Sequence, residues 1–331
     1  MSTPEYSVTE RPEVPVVWLD SHAISDIASA VRRGSPAELI DTWELMSALR
    51  RSGRLFSFES DQLYEIERKP SLVDSCTTIL THLSQGISTS YLHANDQEIR
   101  TGMTTALASD ASAELRWSSI FRDDPFKDTT VDGLLVRADF LATEDDRRRR
   151  RDGAELVASE WEDIRQHYLA LGLQVQERRR RAFDREQLGV HEALTHMTRL
   201  AQSYWNPDGH DPSEEESGAV SSLAPRLADW RHLGGGGIAD MLDFYKSDYF
   251  LNLPHVSISS WITAQRIAGG ERIKPSDVMD IHHIASFMPY CTHMVIDKAM
   301  INAVHTDLGL DKVFVTTLLR LSDLQDLLSP F

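Results

Sequence analysis

Val16-Val17-Trp18-Leu19-Asp20 is a short, β-branched apolar run closed by an acid, and Met294-Val295-Ile296-Asp297 repeats the pattern near the other end of the chain. Each reads as a buried strand followed by a turn into a helix. In an open parallel sheet, the C-terminal tips of the strands are where chemistry collects. Two such strands therefore predict one sheet built from both ends of the chain, with Asp20 and Asp297 brought together at its edge.

Working outward from residue 20, a helix is expected from about residue 25, with Ile24, Ile27, Ala28 and Val31 on one face and Gly34 as its stop. Ser35 as N-cap, Pro36 as the first helical residue and Glu38 in the capping box predict a second helix to about Ser52. Residues 54–58 read as another short strand, and residues 60–68 as a helix ended by Pro70. Residues 1–13, polar with two prolines, read as a loose leader. From about residue 71 to 250 strand signals are scarce and long charged, helix-favouring stretches dominate, notably 154–172 and 173–201. Gly234 to Gly237 follow no strand and precede no Lys-Ser/Thr, so they read as a hinge instead of a phosphate loop.

After Leu253-Pro254 the α/β rhythm returns: helix 257–268, a helix capped by Ser276 and ended by Pro289, strand 292–296, helix 298–307, strand 312–317, and a terminal helix capped by Ser322. The expected architecture is α/β, a three-layer parallel sheet whose halves lie at residues 14–70 and 254–331. A large, mainly α-helical insertion at 71–250 separates them.

The bulk numbers are those of a folded soluble protein: 331 residues, 41% apolar and 26% charged. No apolar run approaches the roughly 18 residues a membrane span needs. The N-terminus lacks a basic patch followed by an apolar stretch, and two cysteines fit a reducing compartment, so the cytoplasm is the expected location. A net charge of −17 argues against coating nucleic acid through bulk attraction, though not against a nuclease with a local acid cluster. The arginine runs Arg147 to Arg151 and Arg178 to Arg181 are flanked by acids and read as solvated helix faces with ion pairs.

Asp20, Glu65, Asp277, Asp280 and Asp297 are the candidate ligands of Mg²⁺ or Mn²⁺, which take hard oxygen donors around open, water-filled positions. Such a site polarises a phosphodiester and activates water. Asp277 and Asp280 stand three apart and share a helical face. Each acid also has a plain alternative: Asp20 and Asp297 as helix N-caps worth about 1 kcal/mol, the others as solvent-facing helix acids. His282, His283, Cys291 and His293 match no common zinc spacing. No Gly-x-Ser-x-Gly elbow supports serine catalysis.

Residues 16–26, Val-Val-Trp-Leu-Asp-Ser-His-Ala-Ile-Ser-Asp, resemble the opening strand of PIN-domain nucleases. Ser276-Asp277-Val278-Met279-Asp280-Ile281-His282-His283, then Met288-Pro289-Tyr290-Cys291 and Val295-Ile296-Asp297-Lys298, resemble that family's closing half. The similarity covers about residues 14–70 and 254–328. The middle departs from the compact family pattern, and His22 stands where many members place Asn. The resemblance implies a parallel α/β/α sandwich, a Mg²⁺ or Mn²⁺ site and hydrolysis of phosphodiester bonds, in RNA more often than DNA. Asp20, Glu65, Asp280 and Asp297 match the family's acid quartet, with Asp277 auxiliary and Glu98 an alternative for the second position. Such proteins serve as toxins, defence effectors or RNA-processing enzymes. The expected function is a metal-dependent endoribonuclease with no membrane partner. The rival is a non-catalytic interaction protein on a degenerate core, its helical insertion binding a protein partner or a second copy.

Overall fold

The computed structural model of the chain describes residues 4–62, 66, 71–121, 144–205, 211 and 213–330. In chain order these form β1 (Glu5–Thr9), β2 (Val17–Leu19), α1 (Ser21–Arg33), α2 (Ala37–Arg51), α3 (Val73–Ser84), α4 (Tyr91–Ala108) and β3 (Ser112–Arg116). The long helices α5 (Glu144–Ala170), α6 (Val175–Trp205) and α7 (Glu214–His232) follow, then α8 (Ile238–Tyr245), α9 (Asp248–Leu251) and α10 (Pro254–Ala268). The closing part comprises α11 (Pro275–Phe287), β4 (His293–Val295), α12 (Lys298–Ile301) leading into a π-helical turn (Asn302–Leu308), α13 (Leu310–Phe314), β5 (Thr317–Leu319) and α14 (Leu324–Leu328).

The chain is thus α/β, mostly helical, with two small parallel sheets. The sheet that decides the architecture has the order β2-β4-β5, with Val17 opposite His293 and Leu19 opposite Val295. Its first two strands come from opposite ends of the sequence. Side chains alternate across it with the period of two that a strand imposes. Val16, Trp18 and Met294 enter one apolar core with Phe58, Ile281, Ile284, Phe287 and Tyr290. Val17, Leu19 and Val295 enter another with Ile24, Ile27, Met46, Leu80, Leu324 and Leu328. Both faces are covered by helices, which is why these strands read as continuous apolar runs. Trp18, Phe58 and Phe287 are fully buried and pack ring to ring, and truncating any one to Ala would cost about 3–5 kcal/mol.

Helix α1 starts at Asp20, buries Ile24, Ile27 and Ala28 on one stripe, and stops at Gly34, whose φ of 66° suits glycine and whose N–H caps Ala30 O. Helix α3, placed by sequence inside the insertion, supplies Cys76, Ile79, Leu80 and Leu83 to the core under β2. The helical middle has its own core: Met103, Leu194, Leu223, Trp230, Met241, Phe244, Tyr245, Phe250 and Leu253. Among the described residues no helix is long and apolar enough to cross a membrane.

Several local expectations are corrected. Residues 5–9 are no loose leader: β1 pairs in parallel with β3, Glu5 opposite Ser112. Residues 54–58 make only an isolated bridge, Val16 to Phe56. Helix α2 begins at Ala37 with Pro36, not Ser35, in the N-cap position. Helix α11 begins at Pro275, one residue before the expected cap, because proline fits the first helical turn. Residues 310–314 are helical, and the last strand starts only at Thr317. The four glycines join α7 to α8 with Gly235 pressed against the Trp230 indole, so a side chain there has no room.

Candidate functional site

The parallel register carries Asp20 and Asp297 to neighbouring strand tips. Asp20 N–H donates to Val295 O at 2.9 Å, extending the β2–β4 ladder by one bond just where the chain turns into α1. Asp297 follows Ile296, whose N–H bonds Leu319 O of β5 at 3.1 Å. On α11, which covers one face of the sheet, Asp280 stands one turn before Ile284 on the side facing the same tips. Together Trp18, Asp20, Asp280, Ile284, Ile296, Asp297 and Met300 line a small recess that opens to solvent. Asp20 and Asp280 are half-buried and Asp297 is exposed at the rim.

The capping alternative holds at the same time. Asp20 Oδ1 accepts from Ser21 N at 2.7 Å, and Asp297 Oδ1 accepts from Met300 N at 2.9 Å. Each cap uses one carboxylate oxygen and sets an acid at the positive end of a helix, which lowers the cost of crowding negative charge. The three aspartates are hard oxygen donors, the chemistry Mg²⁺ or Mn²⁺ requires, and they line one recess that opens to solvent. Among the described residues, however, no group of three or more His, Cys, Asp or Glu side chains is already drawn together tightly enough to hold a metal. Glu65, expected as a fourth ligand, lies outside the described residues.

Two other candidates stand elsewhere. Asp277, though only three residues from Asp280, turns the other way: its Oδ2 accepts from Lys274 N at 2.9 Å and pairs with Arg266 of α10. It tightens the start of α11 and does not line the recess. Glu98 is wholly buried on α4. Its Oε2 accepts from His255 N at 3.0 Å and from His255 Nδ1 at 2.7 Å, and its Oε1 accepts from Tyr290 Oη at 2.9 Å. Burial first, then the Glu98 charge and its hydrogen bond, drive the Tyr290 phenol well above its ordinary pKa. Glu98 therefore joins α4, the start of α10 and the segment after α11.

The histidine pair behaves as its helical geometry demands. His282 stacks on Tyr91 at 5.4 Å, while His283 packs on Trp18 at 5.7 Å. Burial, then the neighbouring His283 and His255, lower the His282 pKa to about 4, so it is neutral at pH 7. Burial pushes the Cys291 thiol up, away from the thiolate a zinc site needs. His22 is exposed, 3.4 Å from Asp26 across one turn of α1, and is not among the recess residues. Arg178 binds Leu173 O and Ala268 O, while Arg180 and Arg181 pair with Glu177, so this run supports packing and a solvated face.

No motif in the sequence marks Ser60, Asp61 and Gln62, all buried behind the recess. A clue stands in the sequence: four consecutive polar residues, Glu59 to Gln62, directly follow the mainly apolar segment Leu55-Phe56-Ser57-Phe58. Comparison with protein-family models, curated proteins and solved structures finds no match to this chain.

Proposed function

We propose that the recess is the centre of a metal-dependent phosphodiesterase of PIN-like, three-layer design, acting on nucleic acid and on RNA in preference to DNA. The observation that carries this reading is the β2–β4 pairing, which takes acids 277 residues apart in sequence and places both beside Asp280 in one open recess. Helices on both faces of a parallel sheet agree with the layering. Asp20, Asp280 and Asp297 would hold Mg²⁺ or Mn²⁺, with Glu65 a further candidate; the ion, when bound, polarises the phosphodiester and lowers the pKa of water. The chain's own part is to fix the carboxylates on a strand tip, a helix face and a second strand tip. Trp18, Ile284, Ile296 and Met300 give them apolar walls, which strengthen every charge interaction inside.

Cleavage of single-stranded RNA and DNA in Mn²⁺, by parent and by Asp20→Asn and Asp297→Asn, tests the reading. Expected is Mn²⁺-dependent endonucleolytic cleavage that falls by at least about a hundredfold in each variant. Undiminished cleavage by a folded variant would overturn it.

One observation favours a second reading, a non-catalytic interaction protein that binds a partner or a second copy through the helices of residues 144–232. Asp20 and Asp297 each spend an oxygen as a helix cap, and no described acid group is drawn tight around a metal. Under that reading, millimolar Mn²⁺ leaves the melting temperature unchanged; under the first it rises.

A further inference from the structure

Behind the recess the sheet is extended by a side chain. Val17 N–H donates to Phe56 O and Phe56 N–H to Pro15 O, both at 2.9 Å. This bridge borders the edge of β2 opposite β4, and beyond Phe56 the two chains separate. Carbonyls alternate sides along a strand. Val16 O turns toward β4, where it accepts from His293 N at 3.0 Å. Leu19 O, the last carbonyl before Asp20, therefore turns toward the widening gap.

Gln62 fills that gap. Its Nε2 donates to Leu19 O at 3.0 Å, and its Oε1 accepts from Ser60 N at 2.6 Å and from Ser60 Oγ at 2.8 Å. The amide presents a donor to one chain and an acceptor to the other, as a backbone peptide would in a continued ladder. Ser60 Oγ in turn accepts from Trp18 Nε1 at 3.1 Å, so the same group holds the indole that lines the recess. Trp18 and Gln62 are each only 1% exposed, so water does not substitute for these bonds. Between them in sequence, Asp61 Oδ2 accepts from Tyr91 N at 2.9 Å and anchors the turn to the start of α4.

We infer that Gln62 is a positioning residue for the recess: by holding Leu19 O directly, and Trp18 through Ser60, it sets the direction in which Asp20 presents its carboxylate. The inference rests on the metal-site reading above. Groups that orient a metal ligand from behind typically change affinity by about 10–100-fold when removed. A residue serving only to stabilise the fold would change the melting temperature and leave affinity alone.

The test counts free Mn²⁺ by electron paramagnetic resonance as Mn²⁺ is added to parent, Gln62→Met, Gln62→Glu and Arg50→Met, each well below its melting temperature. Arg50 is the control for lost stability: it is buried, donates to Leu83 O and Ser84 O, and does not line the recess. Gln62→Met should bind Mn²⁺ about tenfold more weakly or worse, and Arg50→Met should bind like the parent. Gln62→Glu supplies a second signature and decides the matter should Gln62→Met not fold. As a neutral acid it donates to Leu19 O and binds Mn²⁺ like the parent at the same pH; as a carboxylate it repels that carbonyl. Its affinity relative to the parent should therefore fall as pH rises from about 5.5 to 8. A folded Gln62→Met with parental affinity, or a Glu variant whose ratio to the parent is flat with pH, overturns the positioning role and leaves the site reading standing. A parent that binds no Mn²⁺ overturns the site reading, and the positioning role with it.

Discussion

Glu98→Gln separates a buried structural acid, the role its hydrogen bonds give it, from the metal ligand that the sequence offered as an alternative to Glu65. The carboxylate receives three hydrogen bonds, two at Oε2 from His255 and one at Oε1 from Tyr290, and is 0% exposed. Glutamine has one acceptor oxygen where glutamate has two. With its oxygen toward His255 it keeps two bonds but turns its NH₂ to the Tyr290 hydroxyl, whose proton must then find another acceptor inside the core. Turned the other way, it sets NH₂ against two donors. The cheaper arrangement loses one charge-assisted bond and weakens two, a cost of about 2–4 kcal/mol. For a chain of this size that lowers the melting temperature by about 3–6 °C. Thermal unfolding followed by circular dichroism, with EDTA and then with Mn²⁺, reads both effects. The expected result is a clear drop in EDTA and an unchanged increment on adding Mn²⁺. A variant as stable as the parent would refute the hydrogen-bond reasoning. A folded variant that has lost its Mn²⁺ increment would return Glu98 to the metal site.

Three further outcomes follow from other places in the molecule. Asp277→Ala removes the acceptor of Lys274 N and the partner of Arg266; it should cost about 1–3 kcal/mol in urea unfolding while Mn²⁺ binding stays parental, and a loss of binding in the folded variant would count against its exclusion. Glu186 carries a pKa raised to about 7 by burial, partly offset by Arg185 and by a hydrogen bond from Trp161. Its folded value lies above its unfolded one, so between roughly pH 4.5 and 7 the folded chain binds the extra proton, and this group's contribution to stability falls as pH rises. Glu186→Gln should therefore stabilise at pH 8 by about 1–3 kcal/mol, an advantage that shrinks toward pH 5; a gain equal at both pH values would contradict this. Gly235→Ala forces a methyl into the Trp230 indole and should destabilise by about 1–3 kcal/mol, with changed Trp230 fluorescence; a neutral substitution would restore the hinge reading.

The acid-tipped strands were legible because both faces of the sheet are buried. Trp18 and Val17 feed opposite cores, so β2 needs an uninterrupted apolar run, and the first polar residue marks its end. The stop of α1 at Gly34 was equally plain, since a φ of 66° is cheap for glycine. The β1–β3 pair was not legible: its side chains are mostly exposed or half-buried, so no alternation betrays it, and Glu5 finds its partner only at Ser112. Residues 312–317 misled for a different reason. Val313, Phe314 and Val315 favour a strand by composition, yet α13 runs to Phe314, and Val315 then takes a φ of 55°, unusual for a β-branched residue. Tertiary contacts override propensity there: Thr316 Oγ1 donates to Met288 O at 2.7 Å, fixing the start of β5.

The site shows where spacing stops being informative. Asp277 and Asp280 are equivalent on a helical net, and only the third dimension divides them. Arg266, eleven residues before Asp277 on the neighbouring helix, claims one carboxylate, while the tips of β2 and β4 face the other. Residues 54–58 failed as a strand for a related reason. A ladder continued past Phe56 would carry a backbone N–H toward Leu19 O, and Gln62 occupies that place with a side chain. A ladder partner tolerates many side chains, whereas an amide in this gap must match both Leu19 O and Ser60 N. The substitution of side chain for backbone behind Asp20 thus makes the geometry of the strand tip depend on the identity of residue 62, and no periodicity in the sequence encodes that dependence.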